Sequence, residues 1–383
     1  MARKRSVFEE VGPEKAPAPV RGGMISGARP SGRNPVRRWL GLLWVLVAAM
    51  ILVGGLTRLT DSGLSITEWR PVTGIVPPLD EAAWAEEFAR YRTIPEFRLQ
   101  NRDMTMTEFK SIYWWEWGHR QLARTVGFVW AVGFLWFFLR NRIPPGWTLR
   151  LLALGALGGA QGAVGWWMVS SGLSGARVDV ASYRLAVHLG LAFAILGLIT
   201  WHVHALARPA PVILAVRRQG EPKLFSMATG LMHLVFVQIL LGALVAGIDA
   251  GRAFPTWPLM GGSFFPADAF YVPDGGSAWR AFFENPGLVQ FLHRMTAYLV
   301  TILAAVVWLR GRRSAHPETV TAFNNVGIMV LVQMALGIAT VLKAAPLPLA
   351  ITHQAGAILL WTLVIRARHR ARYPIPASIR GTR

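Results

Sequence analysis

Residues 116–140 read EWGHRQLARTVGFVWAVGFLWFFLR, in which a Glu-Trp-Gly-His-Arg motif opens a long apolar run. Such a run predicts a membrane-spanning helix, because about 20 apolar residues are needed to cross a bilayer. The motif recurs in reduced form as His293-Arg294, again at the start of an apolar run. Each copy is followed downstream by a second histidine, His188 or His353, at the start of a further apolar run. Two pairs of histidines, all near the same end of a predicted helix, are the central feature of this sequence.

The composition is typical of a protein that crosses the membrane several times. Of the 383 residues, 53% are hydrophobic and 16% are charged, whereas a soluble domain carries about 25% charged residues. The alternation typical of β-barrel strands is absent, so the predicted spans are helices. The net charge of +20 is better explained by basic cytoplasmic loops than by nucleic-acid binding. The sequence contains no cysteine, which excludes disulfides and thiolate ligands.

Eight spans are predicted, and the charges between them give an orientation. Clusters of arginine flank the second, fourth and sixth connections and follow the last span. By the positive-inside rule, these segments and both chain termini are cytoplasmic, and the four histidines lie near the periplasmic side. The predicted spans are 38–57, 120–140, 148–170, 185–206, 226–248, 290–310, 322–343 and 350–367.

An internal repeat divides the chain into two halves. Gln161-Gly162-Ala163-Val164-Gly165 in the third span corresponds to Gln333-Met334-Ala335-Leu336-Gly337 in the seventh. In each half the second span carries a His-Arg pair and the fourth carries a histidine. We therefore predict an all-α integral membrane protein with eight transmembrane helices, arranged as two tandem, pseudo-symmetric four-helix bundles. The predicted divisions are a disordered cytoplasmic tail 1–37, a first bundle 38–207 with a large outer loop 58–118, a cytoplasmic linker 208–225, a second bundle 226–367 and a basic cytoplasmic tail 368–383.

The four histidines suggest a metal centre in each half. A single membrane histidine is often a packed residue bonded to a backbone carbonyl, but four at one depth, repeated between halves, favour a shared function. Two imidazoles from facing helices can clamp a haem iron. Zinc is the alternative metal, but it prefers three or four ligands in one cluster. The pattern therefore favours His119 with His188, and His293 with His353, as axial ligands of two haems.

Three further residues accompany these histidines. Arg120 and Arg294 can each pair with a haem propionate at the wet edge of the membrane, or they can reach for lipid headgroups. Glu116 lies one helical turn before His119 and is either a catalytic carboxylate or an acid that complements the helix dipole. The second half has Gln290 at the corresponding position. This chemical difference between the halves favours a catalytic role for Glu116.

Several longer motifs point to a known family. They are Gly54-Gly55-Leu56-Thr57-Arg58-Leu59-Thr60, Glu108-Phe109-Lys110, Glu116 with His119-Arg120, Gly247-Ile248-Asp249-Ala250-Gly251, Phe254-Pro255-Thr256-Trp257-Pro258, His293-Arg294 and His353-Gln354. In these motifs and their order, over about residues 38–367, the chain resembles the haem A synthase family, in its mitochondrial and proteobacterial branch. Unlike some bacterial members, it has no cysteine pairs in its outer loops.

The resemblance implies an oxidoreductase of the bacterial inner membrane. Such enzymes oxidise the C8 methyl group of haem O to the formyl group of haem A, by successive hydroxylations with oxygen derived from water. In this scheme His293 and His353 hold a permanent haem b, with Arg294 beside it. His119, His188 and Arg120 receive the substrate haem, and Glu116 is the catalytic candidate. The implied partners are haem O synthase and cytochrome oxidase assembly factors, together with membrane lipid and further copies of the chain.

Two other functions remain open from the residues alone. A di-haem electron-transfer cytochrome would need haems near both membrane faces, whereas both histidine pairs are predicted in one outer layer. A non-catalytic haem carrier would release its haem unaltered. A haem O-forming prenyltransferase is less consistent with the sequence, because no paired aspartate motif for a magnesium diphosphate is seen in an inner loop.

Overall fold

The computed structural model describes residues 32–175, 177–272 and 275–375. Within these residues, eight helices are long and apolar enough to cross a membrane. The prediction of an all-α membrane protein with eight spans is therefore confirmed. The helices in chain order are α1 Arg33–Leu59, α2 Glu81–Tyr91, α3 Pro95–Leu99, α4 Met106–Leu139, α5 Thr148–Val169, α6 Ser182–Leu206, α7 Ala210–Arg217, α8 Pro222–Gly247, α9 Ala250–Ala253, α10 Ala281–Glu284, α11 Pro286–Gly311, α12 Pro317–Leu342 and α13 Leu347–Arg372.

The two predicted tails lie largely outside the described residues. This applies to 1–31 of the tail predicted at 1–37 and to 376–383 of the tail predicted at 368–383. The described parts are mostly helical, because α1 already begins at Arg33 and α13 continues to Arg372. The Arg33 side chain donates to the carbonyl oxygens of Ala205, at 2.8 Å, and Arg208, at 2.6 Å. These bonds join the start of α1 to the end of α6.

The helix α4 begins well before the predicted span 120–140. Thr105 accepts a hydrogen bond from the backbone N–H of Glu108, whose side chain accepts one from the backbone N–H of Thr105. This capping box starts a helix of 34 residues. The Glu116-to-Arg120 motif therefore lies inside α4 rather than at its start. The first turns of α4 belong to the segment that the sequence predicted as outer loop 58–118.

The eight long helices have the same order of neighbours in both halves. In the first half α1 packs against α4, α4 against α5, α5 against α6 and α6 against α1. In the second half α8 packs against α11, α11 against α12, α12 against α13 and α13 against α8. It follows that α4 and α6 stand at opposite corners of one ring, and α11 and α13 at opposite corners of the other.

The hydrophobic core is continuous between the halves. One cluster of buried side chains includes Leu40 of α1, Leu196 of α6, Leu231 of α8 and Val364 of α13. The helices α6 and α8, α6 and α13, and α1 and α13 are in contact. The Trp361 indole also donates to the carbonyl of Phe193 at 2.8 Å. Because the halves share this core, their division into two separate bundles stays a prediction.

The segment between α1 and the membrane part of α4 folds into a compact cap. Trp84 and Tyr91 of α2, Phe97 of α3, and Phe109 and Tyr113 of α4 are all buried in one aromatic cluster. Trp84 and Tyr113 meet edge to face with ring centroids 4.9 Å apart. Buried aromatic side chains contribute large apolar areas, so this segment has a core of its own. The cap covers one end of the four-helix ring formed by α1, α4, α5 and α6, the end at which His119 lies.

Candidate functional site

Each of the four predicted histidines packs against a glycine of the preceding long helix. A methyl group placed on that glycine would lie within about 3 Å of the Cε1 atom of the imidazole ring. The four pairs are Gly54 with His119 (2.9 Å), Gly165 with His188 (2.8 Å), Gly242 with His293 (3.2 Å) and Gly337 with His353 (3.1 Å). The structure therefore places all four rings in equivalent settings. At Gly54 and Gly165 a methyl group would force the imidazole to shift, and at Gly242 and Gly337 the contact would be tight.

A glutamine holds the backbone of three of these histidines. The side-chain amide of Gln161 donates to the carbonyl of His188 at 3.0 Å. That of Gln238 donates to the carbonyl of His293 at 3.1 Å, and that of Gln333 to the carbonyl of His353 at 2.8 Å. Each glutamine precedes the packing glycine by four residues, so both lie on one face of the helix.

The role of these glutamines was not predicted from the sequence. Gln161 and Gln333 served there only as markers of the repeat, and Gln238 was not identified. The signal that could have found them is the repeated spacing Gln-x-x-x-Gly, one turn of helix, in three of the four histidine-contacting helices. The first half departs from it, because Met50 occupies the position four residues before Gly54.

The two histidines of each predicted pair lie on helices at opposite corners of one four-helix ring. His119 on α4 and His188 on α6 belong to the first ring. His293 on α11 and His353 on α13 belong to the second. Ligands that approach from opposite corners of a four-helix ring can bind a group held at its centre.

The ring nitrogens fit a haem better than a zinc ion. The Nδ1 atoms of His119, His188 and His353 are buried and have no hydrogen-bond partner among the described residues. Buried polar atoms are nearly always bonded, so these exceptions mark imidazole rings that the protein's own groups leave available to a bound group. Among the same residues, no group of three or more His, Cys, Asp or Glu side chains could hold a metal ion. Zinc would need such a group, whereas haem iron takes two axial imidazoles.

Glu116 is buried and both its oxygens are engaged. Its Oε1 accepts two hydrogen bonds from Arg120, from Nη2 at 2.6 Å and from Nε at 3.1 Å. Its Oε2 accepts from the hydroxyl of Ser65 and from the backbone N–H of Ile66, both at 2.7 Å. The carboxylate therefore holds the segment after α1 against α4, one turn from His119.

Arg120 continues the same attachment. Its guanidinium donates to the carbonyl oxygens of Ile66, at 2.8 Å, and Glu68, at 2.9 Å. One turn further along α4, Arg124 donates to the carbonyls of Pro71, at 2.9 Å, and Arg70, at 2.8 Å. The structure thus places Arg120 against the outer segment. Four of its five N–H groups are engaged in this way, so one N–H on Nη1 is left for the predicted contact with a haem propionate.

The second half repeats this arrangement with a neutral residue. The Nη2 atom of Arg294 donates to Gln290 Oε1 at 3.2 Å and to the carbonyl of Phe254 at 2.8 Å. Gln290 therefore occupies the place of Glu116, and Arg294 that of Arg120. The amide reproduces only the arginine contact: Gln290 Nε2 donates to the carbonyl of Phe254 at 3.4 Å, whereas Glu116 Oε2 accepts from Ser65 and Ile66.

Comparison with known proteins identifies the family. The sequence model of the cytochrome oxidase assembly protein family, COX15-CtaA, matches residues 37–365. The chain belongs to this family. It is 61% identical over 383 residues, all of both chains, to a protein of Paracoccus denitrificans named heme A synthase. It is 56% identical over 385 residues to a protein of that name from Roseobacter denitrificans, again covering all of both chains, and 57% identical to one from Cereibacter sphaeroides, covering 99% of this chain and 98% of the relative.

The family resemblance predicted from the sequence is confirmed by these matches. This COX15-CtaA protein is a multi-pass membrane protein, with eight membrane-length apolar helices in the part of the chain that the structure describes. The roles of its individual histidines, of the two arginines and of Glu116 remain predictions, for which the geometry above supplies contacts. The family match also makes the cap relevant to function, because the cap lies directly against the helix that carries Glu116 and His119.

The cap of this COX15-CtaA protein contains a buried acid, Glu96, whose unusual setting was not predicted from the sequence. Glu96 on α3 is 3% exposed, and its Oε2 atom has no hydrogen-bond partner among the described residues. Burial, with smaller contributions from the negative charges of Asp179, Asp61 and Glu116, raises the pKa of Glu96 to about 8. A buried carboxyl with such a pKa stays protonated near neutral pH. Only the fold could reveal it, since in sequence it is one of several acids in an acidic segment.

Proposed function

We propose that the chain is a haem A synthase, an oxidoreductase that converts the C8 methyl group of haem O to the formyl group of haem A. The observation that carries this proposal is the duplicated histidine pair, held by glycine and glutamine contacts in both halves, with an acidic partner in only one of them. Two similar porphyrin sites of which one carries Glu116 suit an enzyme with one resident haem and one substrate haem. The names of the relatives support the same activity.

We assign the two sites as the resemblance implies. His293 and His353 would hold a haem b, which when bound supplies an iron that exchanges single electrons. His119 and His188 would hold haem O as substrate. In both sites the glycine contact fixes the ring plane and the glutamine, where present, fixes the backbone. Supporting contacts of this kind normally orient a metal ligand.

The protein's own contribution near the substrate centres on Glu116 and Arg120. The cap, attached through these residues, would exclude bulk water from the outer end of the first ring. A catalytic role for Glu116 as a proton acceptor requires its carboxylate to exchange one of its present partners. The hydroxyl of Ser65 is the most easily exchanged of these, because the hydroxyl can rotate toward other acceptors.

The assignment of the sites is tested by matched histidine variants. The full chain would be expressed with and without a haem O source, and the molecular masses of the extracted haems would be measured by mass spectrometry. We expect His293→Ala to lose resident b-type haem. We expect His119→Ala to keep that haem but to form no haem A. Conversion of haem O by His119→Ala at the wild-type rate would contradict the assignment.

The role of Glu116 is tested by replacing it with the residue that the second half already uses. Glu116→Gln keeps the arginine contact that Gln290 makes with Arg294, but its amide nitrogen cannot accept the bonds from Ser65 and Ile66. The cap should stay attached through the bonds of Arg120 to Ile66 and Glu68, and unchanged haem content is the check. If the carboxylate takes part in catalysis, turnover should fall about 10²–10⁴-fold. Gln290→Glu is the reciprocal control and should leave turnover nearly unchanged. Full activity in Glu116→Gln would leave the residue with an attachment role only.

One observation favours a non-catalytic haem carrier as the second candidate. Both oxygens of Glu116 are engaged in this structure, as expected of a purely structural carboxylate. A carrier would release haem O unaltered, so the pigment masses of the same experiment separate the two functions.

We also propose that both termini face the cytoplasm and that the histidine layer lies near the periplasmic side of the inner membrane. Arg208, Arg310 and Arg372 mark the helix ends opposite the histidines, as the positive-inside rule requires of cytoplasmic ends. Assembly into homo-oligomers and contacts with haem O synthase or cytochrome oxidase assembly factors remain predictions from the resemblance.

A further inference from the structure

A basic cavity lies between the two halves at the end opposite the histidine layer. Its volume is about 370 Å³. On α6, His204 follows His188 by 16 residues, so the cavity lies about 24 Å along the helix from the predicted haem ligands. Six basic side chains line it. Three come from the first half and three from α13 of the second: Arg37, His204, Arg208, Arg366, His369 and Arg370.

The arginines of this cavity make no ion pair with any acid in the described part of the chain. Among the described residues, no carboxylate lies within ion-pair distance of the four cavity arginines. Arg208 donates to the backbone carbonyls of Tyr373 and Pro374, at 2.6 and 2.8 Å. The Nε atom of Arg370 is buried without a hydrogen-bond partner. Glu318 acts on Arg370 only through a longer-range electrostatic interaction.

His369 supplies an independent sign of a missing ligand. It is 2% exposed, and neither of its ring nitrogens has a hydrogen-bond partner among the described residues. Its ring packs against Trp201, with centroids 5.0 Å apart, and against His204, at 5.4 Å. An imidazole always carries at least one N–H. This buried donor therefore lacks an acceptor inside a cavity rich in cations.

We propose that the cavity binds a phosphate-bearing anion that bridges the two halves of the protein. Arginine guanidiniums recognise phosphate oxygens through paired hydrogen bonds. Basic pockets between transmembrane helices on the cytoplasmic side are suited to lipid headgroups. The positive-inside rule explains scattered arginines at this end. It does not explain six basic side chains around one cavity with an unbonded buried histidine. The phosphate could belong to an anionic phospholipid or be free in solution.

The bound anion would connect the two halves at the end of the molecule opposite the predicted haem sites. It would contact α1 and α6 of the first half and α13 of the second, next to the bond in which Arg33 holds the end of α6. Binding to the folded state stabilises that state. The ligand should therefore raise the unfolding temperature of the full chain.

The test measures ligand binding to the purified full chain in a neutral detergent. The unfolding temperature would be measured at increasing concentrations of dioctanoyl phosphatidylglycerol, inorganic phosphate or dioctanoyl phosphatidylcholine. Native mass spectrometry would count the lipids bound per chain. We expect saturable binding of one anion per chain. Arg366→Gln combined with Arg370→Gln should weaken it at least about tenfold, given the strength of hydrogen bonds to charged groups. Arg37→Gln changes an exposed cavity residue without a folding risk and should also weaken it.

The matched control combines Arg310→Gln with Arg313→Gln, which removes two exposed arginines at the same end of the molecule. This control should bind as the wild type does. Binding of phosphatidylglycerol alone identifies a lipid headgroup as the ligand, and equal stabilisation by inorganic phosphate identifies a soluble one. The proposal is overturned if phosphatidylcholine binds equally well, or if the cavity variants and the control lose affinity to the same extent.

Discussion

Replacing Gly165 with alanine should displace His188 without unfolding the protein. The added methyl group would lie 2.8 Å from Cε1 of the imidazole and 3.4 Å from its Nδ1. Ordinary contacts begin near 3.4 Å, so the ring must retreat by about 0.6 Å. Ligand distances in metal sites agree with standard values to within about 0.2 Å. The displacement is about three times that spread, so His188 would have to change its side-chain or helix position to keep a haem bound.

The size of the expected effect follows from this displacement. Changes that reorient a metal ligand typically reduce metal affinity or activity by about 10–100-fold. We expect a loss of that order in haem A formation and in haem bound to the first half. Haem held by His293 and His353 should be unaffected, because Gly165 does not contact those residues.

The matched control is Gly162→Ala on the same helix. A methyl group at Gly162 would meet nothing within 4 Å. Alanine is about 1 kcal/mol better than glycine inside a helix, so this variant should be neutral or slightly more stable. The assay combines haem content per chain, conversion of added haem O and thermal unfolding of both variants. Equal haem binding and equal turnover in Gly165→Ala and Gly162→Ala would refute the reasoning.

Two further predictions concern the cap and the glutamine contacts. The pKa of Glu96 is raised from 4.5 to about 8 in the folded protein, so folding favours the protonated form. The contribution of Glu96 to the free energy of unfolding is therefore fully present below pH 4.5 and is lost as the pH rises through 8. Glu96→Gln should remove this loss, which is on the order of a few kcal/mol. The unfolding temperature of the variant should therefore change less with pH between pH 5 and 8.5. Glu81→Gln, at an exposed position, is the control and should leave this pH dependence unchanged. Gln333→Leu removes the 2.8 Å bond to the His353 carbonyl. It should cost about 1 kcal/mol and weaken retention of b-type haem, and unchanged retention would argue against a supporting role.

The number and nature of the helices were predictable because the membrane imposes them. A bilayer leaves few options for a long apolar segment, since every backbone polar group must be bonded within the segment. The boundaries were less predictable where other forces act. The start of α4 at Met106 depends on the capping box at Thr105 and on aromatic packing in the cap. Both lie outside the hydrophobic signal used to place the span.

The site was predictable in its residues but not in its contacts. Spacing and repetition predict that His119 pairs with His188 and His293 with His353, and each predicted pair lies on helices at opposite corners of one four-helix ring. The engagement of both Glu116 oxygens was not predictable, because Ser65 and Ile66 are distant in sequence and meet it only through the fold. The same applies to Glu96, whose unusual pKa depends on burial by residues from several segments.

The sequence by itself determined that this chain crosses the membrane with eight helices and carries two histidine pairs in a repeated pattern. These properties are local or periodic, so they can be read along the chain. Only the tertiary structure decided that each of the four histidine imidazoles packs on a glycine of the preceding long helix and that Glu116 is bonded to the cap. It also decided that six basic side chains meet at the end opposite the histidines. Those features depend on which distant segments come together, and that is determined by packing rather than by spacing along the chain.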